Sequence, residues 1–586
     1  MYRAKLVFNR SLLRPSFSRG FRTAGRTFQK SAEEIHPGDA PPKSEDPPTL
    51  AYALRYFTVA SVFLVGGLAE GYWIAKKPES NHSVTDIEDI PKPLVYAPES
   101  IVNQGIKKIL HIVGPDAITV SEGEIVSHSG DPSGFVPPKE YEKPYCVVFP
   151  TSAEQVSKIV KVCYDLRIPV VPYSGGTSIE GHYIPTRRGI SIDLSRMNKV
   201  IALHEDDLDV VVQPGMEWME LNEILRPHSL MFGPDPAPGA LIGGILATNA
   251  SGTNAFKFGG AKDNVISLKV VLPDGTLITT KRRPRKSSNG YNLTNLFIGS
   301  EGTLGIIVEA TLKLHILPKK EAITLMNFAD IGDATRTVSD LVKSGVDCNA
   351  LELMDNRQMR AVVELGSGGS RKWAPYHLLL IKLGAKSDSS LKESINVVKS
   401  IAKKNQGFNF EIATDEGDKE NIWHVRKTLL WNSLNWAKKI RPNAHVLPTD
   451  VCVPVSRLPE LISKTMEKMD KAGLLATASG HAGDGNLHVL VIYEPEQIET
   501  AHRLINELSR DAIELDGTVS GEHGIGVSDK RELLVEELGE NTIGTMRSIK
   551  FALDKKAIMN PDHIFQIDPA ERRTNSEQAM NGQQRQ

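Results

Sequence analysis

Cysteine is scarce in this chain: four residues in 586, at positions 146, 163, 348 and 452, with no C-x-x-C pair. That excludes a disulfide framework and the redox chemistry of paired thiols. Cys163 falls in a helix-like run from Glu154 to Leu166 and is best explained as a small core residue. The common nucleotide signatures are also missing. No G-x-G-x-x-G opens a helix and no G-x-x-x-x-G-K-S/T occurs, so neither a Rossmann nor a P-loop site is encoded. There is no internal repeat and no long low-complexity tract. What is there, 40% hydrophobic and 24% charged residues, suffices for two or three cored domains plus extensions.

Acidic residues are absent before Glu33, whereas Arg3, Lys5, Arg10, Arg14, Arg19, Arg22, Arg26 and Lys30 are interspersed with Ser and Thr. Residues 1–32 therefore have the composition of a mitochondrial transit peptide, the alternative being a basic arm for nucleic acid. A Pro-rich acidic spacer follows over 33–48. From Leu50 to Ala75 the only charges are Arg55 and Glu70, with Tyr56-Phe57 and Tyr72-Trp73 near the ends. A membrane crossing needs about 20 residues, so this stretch spans if the flanking charges sit at the interface. The competing reading is a buried or amphipathic helix. A presequence followed by one apolar segment is expected to stop at the mitochondrial inner membrane, with the bulk of the chain in the intermembrane space.

Near the C-terminus the chain reads His481-Ala-Gly-Asp-Gly-Asn-Leu-His488 and then Gly521-Glu522-His523-Gly524-Ile525-Gly526. Two imidazoles and a carboxylate leave coordination positions open, as a catalytic divalent metal requires. His481, His488 and Glu522 are the expected ligands, for zinc or for manganese, which also suits the set. His523 is then free to act as a general base. Any one of these His alone could be an ordinary hydrogen-bonded loop residue. Gly483 and Gly485 predict a turn between the two His rather than two turns of helix.

Three glycine-rich stretches lie upstream. Val170-Val171-Pro172 leads into Tyr173-Ser174-Gly175-Gly176-Thr177-Ser178 and Gly181-His182, a strand ending where backbone N–H groups can converge on a pyrophosphate. Gly233–Gly239 runs into Gly243–Asn254, and Gly299-Ser300-Glu301-Gly302-Thr303-Leu304-Gly305-Ile306 follows. A long flat ligand could lie on these small-residue surfaces. Around them, strands are predicted at 146–149, 190–194, 210–212 and 267–272, with a turn at Pro273-Asp274-Gly275-Thr276. From about Lys319 the pattern changes. Strands at 322–328, 350–354 and 377–383 alternate with helices at 334–344 and 392–404, which predicts a second α/β unit on an antiparallel sheet.

In this order, the glycine segments with HAGDGNLH and GEHGIG resemble the flavoprotein family with the vanillyl-alcohol-oxidase (PCMH-type) FAD-binding domain. Within it the chain is similar to the D-lactate and D-2-hydroxyglutarate dehydrogenase group, over roughly Tyr141 to Phe565. The resemblance implies an α+β fold: a two-subdomain PCMH-type FAD domain over 141–318, after a linker and helical region at 76–140. It further implies an α/β cap on an antiparallel sheet over 319–546 and a segment at 547–570 returning to the FAD domain; the Gln-rich composition of 571–586 predicts a disordered tail. It assigns the FAD to Ser174, Gly175, Gly176, Thr177, Ser178, Gly181, His182, Pro236, Gly243, Gly244, Ala247, Thr248, Ser251, Gly252, Thr253, Glu301, Ile306 and Asn560. Some relatives bind flavin covalently through a His just after the paired glycines. Thr177 stands there, so non-covalent FAD is expected.

By the same resemblance Arg426, in the helix-like Asn421–Lys427, grips the substrate carboxylate with a fork of N–H donors. A surface Arg on an amphipathic helix is the alternative. A Lys that the hydroxyglutarate branch carries near Leu447–Val451 is replaced here by Thr449, which favours a short monocarboxylate such as D-lactate. The implied reaction is FAD-dependent oxidation of D-lactate, or another small D-2-hydroxy acid, to pyruvate, with cytochrome c as acceptor. A hydroxyglutarate dehydrogenase or an oxidase of the same fold are the alternatives, and a membrane-tethered flavin-binding protein without turnover is the remote one. Removing the eight presequence cations leaves 61 Lys and Arg against 71 Asp and Glu, a net of −10 rather than −2. An acidic mature chain steers a basic partner such as cytochrome c. The basic run Lys281–Lys286 is expected to be a solvated loop, and no nucleic-acid partner is expected.

Overall fold

Ser152 ends an extended segment and accepts from the Gln155 N–H at 3.2 Å, capping the helix Ala153–Leu166. The helix buries Val156, Ile159, Val160 and Cys163, the one-faced spacing that the sequence pattern demands. It stops at Arg167, which takes a left-handed conformation with φ 57°. The computed structural model that shows this describes residues 83–85, 90, 94–130, 134–369 and 371–567. The presequence, the spacer, the apolar segment 50–75 and the tail 571–586 lie outside the described residues. Among the described residues no helix is long and apolar enough to cross a membrane.

The capped helix is the crossover of a four-stranded sheet ordered Ile118–Thr119, Cys146–Val148, Ile190–Asp193, Val170–Tyr173. The last three run parallel and are buried almost throughout. An N-terminal helix, Glu99–Val113, packs Val102 and Ile109 into the same core. A second sheet of five antiparallel strands is ordered Val200–His204, Asp209–Val212, Ile306–Lys313, Val265–Val271, Leu277–Thr279. It holds its own core around Phe232, Ile242, Leu268 and Phe297.

The third sheet is antiparallel, with eight strands: Phe408–Ala413, Lys320–Phe328, His377–Ala385, Cys348–Met354, Leu475–His481, Asn486–Tyr493 and His445–Pro448 in order, and Val451–Cys452 paired to Asn486–Tyr493. Helices Ile331–Ser344, Asp388–Lys404, Leu458–Lys471 and Ile498–Glu514 bury their apolar stripes against it. The three sheets belong to one unit spanning 82–586, and the fold is α+β.

The C-terminal segment comes back to the first sheet. The Val170 N–H donates to Ile558 O and the Asn560 N–H to Val170 O, both at 2.8 Å. The fully buried Lys550 ammonium donates to Thr303 O, Met559 O and Asp554 Oδ2, each at 2.7 Å. Burial lowers its pKa against the pull of Asp554. The basic run is a solvated loop, as expected, with acidic partners beside it. Lys281–Lys286 is exposed, yet Arg283 is bound to Asp207 at 2.6 Å and Asp209 at 3.0 Å, so the acids of the neighbouring hairpin offset the run in part.

Candidate active site

The strand Leu475–His481 turns through Ala482–Gly485 into Asn486–Tyr493, so the HAGDGNLH motif is a hairpin and not a helix. Gly485 sits at φ 80°, and a Cβ there would fall 1.9 Å from Val453 O. Only glycine fits that corner. The hairpin brings the rings of His481 and His488 to 5.6 Å between centroids.

The GEHGIG loop meets them. Glu522 Oε1 lies 3.3 Å from His481 Nε2 and 3.2 Å from His488 Nε2. His523 stacks on His488 with centroids 5.2 Å apart, and its Nε2 stays 4.0 Å from Glu522 Oε1. Asp450 anchors the loop from the cap side. Its Oδ2 accepts from the Glu522 N–H at 2.9 Å, the His523 N–H at 2.8 Å and Ser520 Oγ at 2.9 Å. Its Oδ1 accepts from Asn486 Nδ2 at 2.8 Å.

Charge is concentrated here. Burial opposes a charge on His481, but Glu352 and Glu522 outweigh it and hold its pKa well above the ordinary value. Glu522 is correspondingly pulled far down against its burial by His481 and His488. Burial lowers the pKa of His523, offset only in part by Asp450, so this ring is neutral at neutral pH. His523 Nδ1 is buried without a hydrogen-bond partner.

Among the described residues, two donor sets could hold a metal, each with ligand atoms within 4.8 Å of one another: His481, His488 and Glu522, and Asp450, His488 and His523. Both oxygens of Asp450 already accept from N–H and O–H donors, while Glu522 Oε1 meets only imidazole nitrogens. Two imidazoles and a carboxylate with surplus acid beside them fit a divalent ion. The first set is therefore the better one.

Arg426 lies in the helix Glu416–Lys427, mostly buried. Its Nε donates to Glu352 Oε2 at 2.6 Å, and the other oxygen of Glu352 lies 2.8 Å from His481 Nδ1. Glu352, from a strand buried on both faces, thus joins Arg426 to the first imidazole.

Arg426, His481, His488, Glu522 and His523 form one wall of a cavity of about 840 Å³. The glycine motifs form another. Ser174 through Ser178, His182, Pro236, Gly243, Gly244, Ala247, Thr248, Gly252, Thr253, Glu301 and Ile306 line it, together with Arg426, His481, His488, Glu522 and His523. The loop after Tyr173 sits directly on the next motif. The Gly244 N–H donates to Ser174 Oγ at 3.2 Å, and a Cβ on Gly175 would fall 2.6 Å from Gly239 O. A cavity of this size walled by backbone and small side chains fits a dinucleotide cofactor.

Three residues assigned to the cofactor lie outside this lining. Gly181 packs at φ 72° where a Cβ would meet Val527 at 2.8 Å. Asn560, 1% exposed, donates to His182 O at 3.0 Å and Glu301 O at 2.7 Å. Ser251 turns its hydroxyl to Glu522. Sequence reasoning missed Glu352, Asp450 and Lys382. The signal for Glu352 was an acid inside the otherwise apolar Ala350–Met354, since a charge on a strand buried on both faces must have a partner. Lys382, 3.9 Å from Glu321, also lines the cavity, so Thr449 does not leave Arg426 as its only cation.

Residues 144–281 match the FAD binding domain family model, and residues 317–564 match that of the FAD linked oxidases, C-terminal domain. The mitochondrial D-lactate dehydrogenase (cytochrome) of Kluyveromyces lactis is 41% identical over 86% of this chain and 89% of its own length. The enzyme of that name from Saccharomyces cerevisiae is 41% identical over 86% and 87%, and that of Arabidopsis thaliana 42% over 80% and 80%. The fold also resembles 4-ethylphenol oxidase from Gulosibacter chungangensis, at 18% identity, TM-score 0.66, over 82% of this chain and all of that one. p-Cresol methylhydroxylase, at 16% identity, has the same TM-score over 82% and 99%. With both halves matched in order, and relatives this similar along most of its length, the chain belongs to the family of FAD-linked oxidases that includes the mitochondrial cytochrome-linked D-lactate dehydrogenases.

Proposed function

We propose that this protein oxidises D-lactate to pyruvate with non-covalently bound FAD and passes the electrons to cytochrome c. The observation that carries this reading is the cluster of His481, His488, Glu522, His523 and Arg426 on the wall of a cavity whose other wall is the three glycine motifs. The names of the relatives supply the substrate and the acceptor. FAD, when bound, takes up the two electrons that leave the α-carbon with its hydrogen. A divalent ion, when held by His481, His488 and Glu522, makes the substrate hydroxyl more acidic.

The chain's own residues do the rest. Arg426 binds the carboxylate, oriented by the Glu352 oxygen on its Nε. His523, neutral and with its Nε2 near the metal ligands, accepts the hydroxyl proton. Thr177 offers no imidazole for a flavin bond, which supports non-covalent attachment. The flavin-side residues are 141–318 with the returning segment 547–570, and the cap is 319–546. The presequence, the apolar segment 50–75 and the relatives' mitochondrial names support residence at the mitochondrial inner membrane, with the catalytic part in the intermembrane space. Lys382 in the cavity lining favours one second reading, acceptance of a dicarboxylate such as D-2-hydroxyglutarate.

An anaerobic panel of D- and L-2-hydroxy acids tests the whole reading. D-lactate should bleach the flavin absorbance, L-lactate should not, and chelation should abolish bleaching while the flavin stays bound. If D-lactate leaves the flavin oxidised in metal-replete protein, the reading fails. If D-2-hydroxyglutarate bleaches faster, the second reading replaces the first. Arg426→Lys keeps a charge but loses the planar fork, so kcat/KM for D-lactate should fall at least tenfold, roughly 1.4 kcal/mol. An unchanged value would remove Arg426 from the substrate site.

A further inference from the structure

Ser251 lies inside the second glycine motif, where neighbouring side chains line the cofactor cavity, but its own does not. Its hydroxyl donates to Glu522 Oε2 at 2.7 Å, and the Gly252 N–H donates to the same oxygen at 3.1 Å. The other oxygen, Oε1, is the one within 3.3 Å of both imidazoles. A carboxylate with one oxygen fixed by two donors can present the second in only a narrow range of directions.

The same loop is tied to the flavin half a second time. Glu301 accepts from the Ile525 N–H and the Gly526 N–H, each at 2.8 Å. Asp450 holds the Glu522 and His523 backbone from the cap. Asp450 and Glu301 thus set where the loop runs, and Ser251 with the Gly252 N–H sets how the Glu522 carboxylate turns.

We propose that Ser251 is a positioning residue for the metal site, orienting Glu522 toward His481 and His488 from the cofactor motif without touching the cofactor. The proposal rests on the metal reading above. Groups that orient a metal ligand typically contribute 10- to 100-fold in metal affinity. The Gly252 N–H survives any change at Ser251, so the lower end of that range applies.

The experiment is a Mn²⁺ titration of chelator-treated, flavin-loaded protein, following free Mn²⁺ by electron paramagnetic resonance, with flavin content read by absorbance. Ser251→Ala should raise the Mn²⁺ dissociation constant about tenfold at unchanged flavin stoichiometry. Ser251→Thr keeps the hydroxyl and should restore wild-type affinity. Equal affinity in wild type and Ser251→Ala overturns the proposal, as does weakening in both variants, which would mean that loop packing is responsible. Loss of flavin from Ser251→Ala also overturns it, because the hydroxyl would then serve the cofactor. Wild-type protein that binds no Mn²⁺ or Zn²⁺ refutes the metal reading itself, a different outcome from any of these.

Discussion

His523→Ala should slow flavin reduction by D-lactate at least about 10²-fold while bound metal and bound flavin stay at wild-type levels. Its neighbour should behave differently. Glu522→Ala should lower metal occupancy, and added metal should restore part of the rate. The distinction follows from which atoms meet. Glu522 Oε1 lies within 3.3 Å of both His481 Nε2 and His488 Nε2, whereas His523 Nε2 is 4.0 Å from that oxygen and stacked on His488. Burial keeps the His523 ring neutral, the form that can accept a proton. Partial recovery of His523→Ala is expected at high pH, where hydroxide can take the proton instead. Elemental analysis beside stopped-flow reduction decides between the roles. If His523→Ala loses the metal and Glu522→Ala keeps it, the ion belongs to the overlapping set of Asp450, His488 and His523, and ligand and base exchange identities.

The parts of this site that could be read in the sequence are those whose cause is local. Glycines at forced turns, Gly483 and Gly485 among them, marked the hairpin that pairs His481 with His488. The run Glu154–Leu166 carried its own apolar stripe, and its helix was displaced only by the Ser152 cap, which starts it one residue earlier. What stayed hidden is long-range pairing. Arg426 and Glu352 are 74 residues apart, His481 and Glu352 129, and Ser251 and Glu522 271. No periodicity encodes such contacts: the first two arise where the cap sheet sets two strands and a helix side by side, the third where the second glycine motif meets the GEHGIG loop. For the same reason the sequence places Ser251 with the cofactor. Its neighbours in sequence line the cavity, and only the arriving GEHGIG loop gives its hydroxyl another partner. In the basic run at Lys281–Lys286 the acids at Asp207 and Asp209 were equally out of sight.

Glu352 concentrates the consequences of that hidden pairing, and its removal should be among the most damaging single changes in the molecule. Its side chain is fully buried, with Arg426 Nε at 2.6 Å on one oxygen and His481 Nδ1 at 2.8 Å on the other. Arg426 and His481 together hold its pKa below the carboxylate range against the opposing effect of burial. Glu352→Ala leaves a mostly buried guanidinium and a buried imidazole without their counter-charge. Breaking a buried pair from one side costs about 3–5 kcal/mol, so a drop of several degrees in Tm is expected. Function should suffer separately. A carboxylate that takes the Nδ1 hydrogen of His481 leaves Nε2, the nitrogen beside Glu522, free as a ligand. The same carboxylate fixes the direction of the Arg426 fork. Glu352→Ala should therefore lose metal affinity by about 10- to 100-fold and raise KM for D-lactate together. Glu352→Gln keeps the shape and one acceptor but also lacks the counter-charge and turns an N–H group toward a donor, so it should recover only a small part of the stability and still bind metal and substrate more weakly. A Glu352→Ala protein with wild-type Tm and wild-type kcat/KM would show that the bridge between Arg426 and His481 has no part in either folding or catalysis.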